Sequence, residues 1–388
     1  MPALCDCVTG CCDASHQFAI NQYYENIVAV LRQAASTAIC RVRSNSLKPY
    51  WNEELDKLKT DSIFWHHIWK DAGRPYSGTL NYIRLSCKAK YKLAIRDAYV
   101  NYENQLSDEL CVHFANKNLP DFWKTWNAKF KKNVSKPVNI NGYANDSDIA
   151  NEFADHFSNV FCNSSADTEA YDEYLCKRNE RIINNFQSSY TVVDSNNVEL
   201  IERSVQKLKF GKAAGPDELC AESMHYAHPI LIVHLKHLFK LILLHGFVPH
   251  DFGLGISVPL VKDKAGNINK IDNYRAITLS PVISKMFEVV LLSICGDVLG
   301  TDALQFGFKD NIGCSDAIFT LRATLDHFVQ QGSSVYIASL DISKAFDCVN
   351  HYKLYKSLLC AGVPVVVVDV ISNWYSKLTF MVLCQLRL

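Results

Sequence analysis

The residues best suited to chemistry lie in the run Ala338, Ser339, Leu340, Asp341, Ile342, Ser343, Lys344, Ala345, Phe346, Asp347, Cys348, Val349, Asn350, His351. Ser334 to Leu340, which follows a turn at Gly332 and contains Val335, Tyr336 and Ile337, reads as a strand. Asp341 would then stand at the end of an apolar strand, where an open sheet presents a carboxylate to a ligand. A carboxylate so placed can bind a hard divalent cation such as magnesium. Phosphoryl transfer assisted by two metals needs carboxylates from at least two segments, because one cation activates the attacking hydroxyl and the other stabilises the leaving oxygens. One aspartate is half of such a site. The plainer alternative is that Asp341 caps the following turn and Asp347 sits on its solvated face.

Cations suited to phosphoryl charge occur earlier, at Lys262 after Pro259, Leu260 and Val261, and at Arg275 in the run Asn273 to Leu279. Cys5, Cys7, Cys11 and Cys12, with His16 nearby, are zinc-ligand types, but their spacing matches none of the usual two-by-two patterns. Free thiols are the simpler reading. The odd total of 15 cysteines, with no leader sequence before them, points to a reduced intracellular setting and leaves nucleus and cytoplasm unassigned.

The elements that must position these groups divide at about residue 160. Before it, Phe18, Tyr23, Ile27, Val30 and Leu31 recur at helical intervals, as do Leu85, Lys88, Tyr91, Lys92, Ile95, Tyr99, Tyr102 and Leu106. An aromatic group of Tyr50, Trp51, Phe64, Trp65 and Trp69 fits interhelix packing or a stacking platform for bases. The polar stretch 161–194 reads as a linker. Beyond it, Asn197 suits the cap of a helix carrying Val198, Ile201, Val205 and Leu208 on one face. Helices are expected over Leu231 to Leu244, Pro281 to Ile294 and Asp316 to Phe328, and a strand over Ile256 to Val261. The expected fold class is α+β, helical from 1 to 160 and mixed from 195 to 388.

Composition sets wider limits. Charged residues make up 21% and hydrophobic ones 48%, which excludes a wholly disordered chain. Lys and Arg number 40, as do Asp and Glu, so no overall basic field announces a nucleic-acid partner, although a local groove is still allowed. No apolar stretch reaches the roughly 18 residues of a membrane span. The nearest, Met286 to Cys295, is interrupted by Glu288.

The run around Asp341 resembles the first aspartate motif of the reverse-transcriptase palm in non-LTR (LINE-type) retrotransposons, a leucine and aspartate followed by serine, lysine, alanine, phenylalanine, aspartate, valine and histidine. Three earlier stretches resemble the same family in the same order. They are Lys212 to Asp217, with its lysine, glycine, proline and aspartate; Pro259 to Lys262 with Asn273 to Leu279; and Gln305 to Phe308 with Gly313 to Ala317. The resemblance implies the fingers and the first part of the palm of a right-hand polymerase over 195–388, with residues 1–160 as the helical connector after an endonuclease. It implies that Asp341 is a catalytic, metal-binding aspartate and that Lys262 and Arg275 face the incoming triphosphate. It gives Phe346 the place beside the sugar that disfavours a 2′-hydroxyl, and Asp347 that of the motif's second aspartate. Magnesium, an RNA template, a DNA primer and deoxynucleotide triphosphates are the implied cofactor and partners of an intact member. No membrane and no obligate protein partner is implied.

Two departures stand out. The family usually has proline at the position of Ala276, and the pattern after His351 runs through Leu359, Gly362, Ile371 and Trp374 without reaching paired aspartates. The expectation is a nucleotidyltransferase by descent that is inactive alone. The rival expectation is a non-catalytic nucleic-acid-binding remnant of a retroelement.

Overall fold

Three asparagines start three of the helices. The side-chain oxygens of Asn52, Asn197 and Asn350 accept from the backbone N–H groups of Leu55, Leu200 and Lys353 at 2.9, 2.8 and 3.1 Å, each satisfying a donor that the first helical turn leaves over. The computed structural model describes residues 13–38, 48–130, 139–161, 167–184, 197–263, 266–309, 311–342 and 344–383. In chain order the elements are α1 (Ala14–Ala38), α2 (Glu53–Asp71), α3 (Thr79–Ala115), α4 (Leu119–Phe130), α5 (Asp146–Phe161), α6 (Thr168–Asn184), α7 (Val198–Gln206), α8 (Ala221–His225), α9 (Ile230–His245), β1 (Leu254–Val261), β2 (Tyr274–Leu279), α10 (Val282–Cys295), α11 (Cys314–Gln330), α12 (His351–Ala361), α13 (Val365–Tyr375) and β3 (Thr379–Val382).

The chain forms two compact units, one from Met1–Ala38 and Pro137–Leu388, the other from Ile39–Lys136. The boundary therefore differs from a division at residue 160. α1 joins the larger unit because Ile20, Tyr24 and Ile27 are buried in its core, and α5 joins it through Phe153 and Phe157.

In the smaller unit α3 packs against both α2 and α4. Its buried set is short, comprising Leu55, Leu106, Leu110 and Thr125 among the described residues. Aromatic contacts do much of the joining: Tyr50 meets Tyr99 at 5.4 Å, Trp51 meets Tyr91 at 6.5 Å, and the Arg84 guanidinium lies 4.0 Å from the Trp69 ring. Trp51 and Trp69 thus serve interhelix packing. Phe64, Tyr76 and Trp123 are exposed.

The larger unit is built around α9, whose Leu231, Leu235, Leu238, Phe239 and Leu241 to Leu244 are all buried. So continuous an apolar run suits a helix covered on most sides, here by α1, α7 and α13. The three strands run in the order β2, β1, β3. β1 pairs antiparallel with β2 from Ile256↔Leu279 to Val261↔Tyr274, and parallel with β3 from Leu254↔Thr379 to Ser257↔Val382. Ala276 sits in this ladder opposite Pro259, so the strand forms without the family's proline. The fold is predominantly helical α+β with one small mixed sheet.

Two expectations fail. Residues 168–184 are a helix, α6, and not part of a linker. Tyr171 and Tyr174 pack on Tyr352 of α12, Arg178 donates from Nε and Nη2 to the two carboxylate oxygens of Asp369 at 2.7 Å each, and Lys356 pairs with Glu173 at 2.7 Å. A polar sequence folds here because its partners lie about 180 residues away. The expected strand Ser334 to Leu340 does not form either. Residues 333–342 run without regular structure, exposed throughout, and no backbone hydrogen bond joins 334–342 to any described residue. A strand exists only by pairing, and among the described residues this β-prone stretch pairs with no strand.

Candidate functional site

Lys262 and Arg275 lie at one end of the β1/β2 hairpin. Arg275 pairs with Leu260, and the ladder continues one step past the strand as the Lys262 N–H donates to Asn273 O at 2.7 Å. Side chains alternate along a strand, so Lys262, two residues beyond Leu260, emerges on the same face as Arg275. Both are exposed. The Lys262 ammonium donates to the Asp272 carbonyl at 2.9 Å, and Asn273 closes the loop with bonds to the Asp263 N–H and carbonyl at 3.0 and 2.8 Å. Beneath, Tyr274 and Ile271 pack on Ile149, Phe153 and Phe157 of α5, which fixes the hairpin against a helix.

α5 also supplies a residue that the motifs do not contain. His156 has its pKa lowered, first by burial and, against an opposing contribution from Asp272, by the positive charges of Lys344 and Lys262. The charges of both lysines thus act on one histidine although 82 positions separate them in the sequence. A lone histidine in an amphipathic helix carries no pattern that would have marked it.

Asp341 is exposed in the irregular run before the turn that starts at Lys344, and makes no hydrogen bond or ion pair with a described residue. Lys344 takes the left-handed conformation with φ 53°, and its carbonyl accepts from the N–H groups of Asp347 and Cys348 at 3.0 and 3.1 Å. Asp347 is exposed on that turn. Phe346 is 78% exposed and touches Phe308, ring centroids 6.0 Å apart, which joins the Gln305 to Phe308 stretch to the aspartate run. Phe308 too is left-handed, φ 61°, an uncommon setting for a bulky residue. His351 ends the run as packing, against Tyr375 at 5.0 Å, and burial lowers its pKa.

The Lys212 to Asp217 motif is a structural clamp. A Cβ on Gly215 would lie 2.5 Å from Ser280 O and 2.7 Å from Ser280 C, so only glycine lets these two backbones meet. Asp217 Oδ2 accepts from Val282 N at 3.2 Å, Oδ1 accepts from Leu219 N at 3.3 Å, and burial raises its pKa. The first turn of α10 is thereby held by a carboxylate 65 residues upstream.

Magnesium does not fit the donors present. Among the described residues no group of three His, Cys, Asp or Glu side chains could hold a metal ion, so Asp341 is not part of such a cluster. Cys5, Cys7, Cys11 and Cys12 lie outside the described residues, while His16 stacks edge-on against His245 at 5.4 Å. No helix among the described residues is long and apolar enough to cross a membrane.

Residues 262–386 match the reverse transcriptase (RNA-dependent DNA polymerase) family, and β2 and β3 fall inside that range. The chain is 28% identical over 169 residues to the Retrovirus-related Pol polyprotein from type-2 retrotransposable element R2DM of Drosophila melanogaster, covering 44% of this chain and 16% of the relative. It is 26% identical over 152 residues to the Pol polyprotein from type-1 retrotransposable element R2 of Nasonia vitripennis, 39% of this chain and 14% of the relative. With the Probable RNA-directed DNA polymerase from transposon BS of Drosophila melanogaster it shares 22% over 212 residues, 53% and 23% of the two chains. The chain therefore carries a reverse-transcriptase domain related at low identity to retrotransposon Pol proteins, and it aligns with less than a quarter of the length of each.

Proposed function

We propose that this chain supplies the fingers and the first part of the palm of the RNA-directed DNA polymerase of a non-LTR retrotransposon, and that it does not incorporate nucleotides by itself. The observation that supports the reading is that Lys262 and Arg275 emerge on one face of the β1/β2 hairpin, while Phe346 of the aspartate run meets Phe308 of the preceding motif with ring centroids 6.0 Å apart. In this reading Lys262 and Arg275 bind the triphosphate, where their exposed cationic groups neutralise phosphoryl oxygens. Phe346 packs beside the sugar and excludes a 2′-hydroxyl. Asp341 supplies one carboxylate of a site that needs more than one. The intact protein would work on an RNA template, a DNA primer and deoxynucleotide triphosphates. That Asp341 is exposed and, among the described residues, belongs to no metal-holding cluster favours a second reading, in which the chain holds RNA without chemistry.

Primer extension separates the two. With magnesium, deoxynucleotides and a primed RNA template, the 388-residue chain is expected to add nothing. Fused to the downstream palm of a relative, it should extend the primer, and Asp341→Ala should abolish that extension. Oriented reactive groups contribute many powers of ten in rate, so the contrast should be unambiguous. Extension by the unfused chain that disappears with Asp341→Ala would overturn the claim of inactivity. Failure of the fused chain would favour RNA holding alone.

A further inference from the structure

Charge is divided unevenly along this chain. The whole is neutral, with 40 Lys and Arg against 40 Asp and Glu, yet residues 39–136 hold 18 of the cations and only 10 of the acids. That range is the smaller folded unit. Within it the imbalance concentrates on the first half of α3. From Thr79 to Arg96 there are five cations, Arg84, Lys88, Lys90, Lys92 and Arg96, and no Asp or Glu.

Four of the five recur every fourth residue. Arg84, Lys88, Lys92 and Arg96 therefore lie along one face, in steps of about 6 Å and over about 18 Å of helix. Arg84 is tied into the fold, its guanidinium over Trp69 at 4.0 Å and bonded to Asn81 at 3.0 Å. Lys88, Lys90, Lys92 and Arg96 are exposed, and among the described residues none of them enters an ion pair. An ordinary solvated helix places an acid four residues before each base, which stabilises it; like charges four apart repel. This row does the second, so the isolated helix is weakened by it and a polyanion would relieve it.

We infer that the Lys88, Lys92, Arg96 row, flanked by Lys90, grips the phosphate backbone of a nucleic acid without reading its bases. The inference extends the polymerase reading but rests on charge placement in the smaller unit and not on the Asp341 run. Phosphate contacts need only cations on long flexible stems at regular intervals, which this face supplies. An anionic membrane would require a broad apolar face beside the cations. Here the exposed apolar side chains Tyr82, Leu85, Leu93, Tyr99 and Val100 are interspersed with the cations and form no broad face of their own, and α3 packs against α2 and α4.

The test uses the full chain and its Lys88→Gln, Lys92→Gln, Arg96→Gln triple variant. Binding of a fluorescein-labelled DNA duplex of about 20 base pairs, and of an RNA hairpin, is followed by anisotropy between about 50 and 200 mM salt. Three lost contacts on a duplex should make the slope of log affinity against log salt shallower by about 2 to 3, and weaken binding about tenfold or more at the lower salt. Circular dichroism should show the helix content unchanged. A Lys353→Gln, Lys356→Gln control removes lysines already paired with Asp167 and Glu173 and should leave the slope unchanged. A triple variant with the slope of the unmodified chain would overturn the inference, as would binding to phosphatidylserine vesicles in preference to both nucleic acids. A fused chain that fails to extend a primer yet loses salt-dependent binding in the triple variant would sink the polymerase reading alone.

Discussion

Replacing Gly215 by alanine tests whether the glycine, proline and aspartate motif is a clamp or a ligand loop. The added Cβ would lie 2.5 Å from Ser280 O, 2.7 Å from Ser280 C and 2.9 Å from Pro281 N, all backbone atoms. No flexible side chain is present to move aside. Relief requires one segment to withdraw, yet Pro281 is rigid and Asp217 ties the same turn to Val282 at 3.2 Å. Overpacking of this kind costs about 1 to 3 kcal/mol, and separating Asp217 from Val282 would add part of the about 1 to 3 kcal/mol of an unmet buried donor. A loss near 2 to 3 kcal/mol is expected, a large share of the about 5 to 15 kcal/mol typical of a folded domain. Urea denaturation should show a lower midpoint with an unaltered slope. Gly300→Ala is the control, since nothing lies within 4 Å of its added Cβ, and it should stay within about 0.5 kcal/mol. A Gly215→Ala protein as stable as the original, but with weakened nucleotide binding, would refute the clamp.

Arg178→Ala should cost about 1 to 2 kcal/mol in the same assay, because it breaks two 2.7 Å bonds to a half-buried Asp369. Lys177→Ala, which breaks a more exposed pair with Glu180, should cost less than about 0.5 kcal/mol. Equal losses would show that the α6 to α13 link is ornamental. Lys377 donates to Val248 O at 2.6 Å beside the Phe247 ring, and burial pushes its pKa down to about 8 from 10.5. The folded chain therefore binds fewer protons than the unfolded one between those values, so this lysine makes stability rise with pH across that window. The stability difference between the unmodified chain and Lys377→Met should climb from about pH 8 to 10; a flat difference would contradict the assigned cause.

Much of the helical framework was legible in the sequence, because the information is local. The periods of Leu231 to Leu244, Pro281 to Ile294 and Asp316 to Phe328 located α9, α10 and α11 to within about two residues, and Asn197 marked the start of α7. What failed depends on distant partners. Thr379 to Val382 becomes a strand only because β1 offers its parallel edge, and the tyrosines of α6 acquire meaning only against those of α12. Ser334 to Leu340 shows the reverse, a strand composition left without a neighbour. In the candidate site, the hairpin register puts Lys262 on the same face as Arg275, as two cations meant for one ligand require. His156 was invisible, since its role comes from the charges that folding brings around it.

The unpaired run from Val335 to Ile342 also governs how this protein behaves in a crowded solution. Tyr336 is 94% exposed and Leu340 96%, and between Gly332 and Asp341 there is neither a charge nor a proline. A stretch with those properties is the usual template for sheet growth between molecules, and Asp341 is its only acidic gatekeeper. The aspartate at the heart of the candidate site thus has a colloidal duty as well. Its neutralisation should raise the rate of concentration-dependent aggregation even where folding stability is untouched.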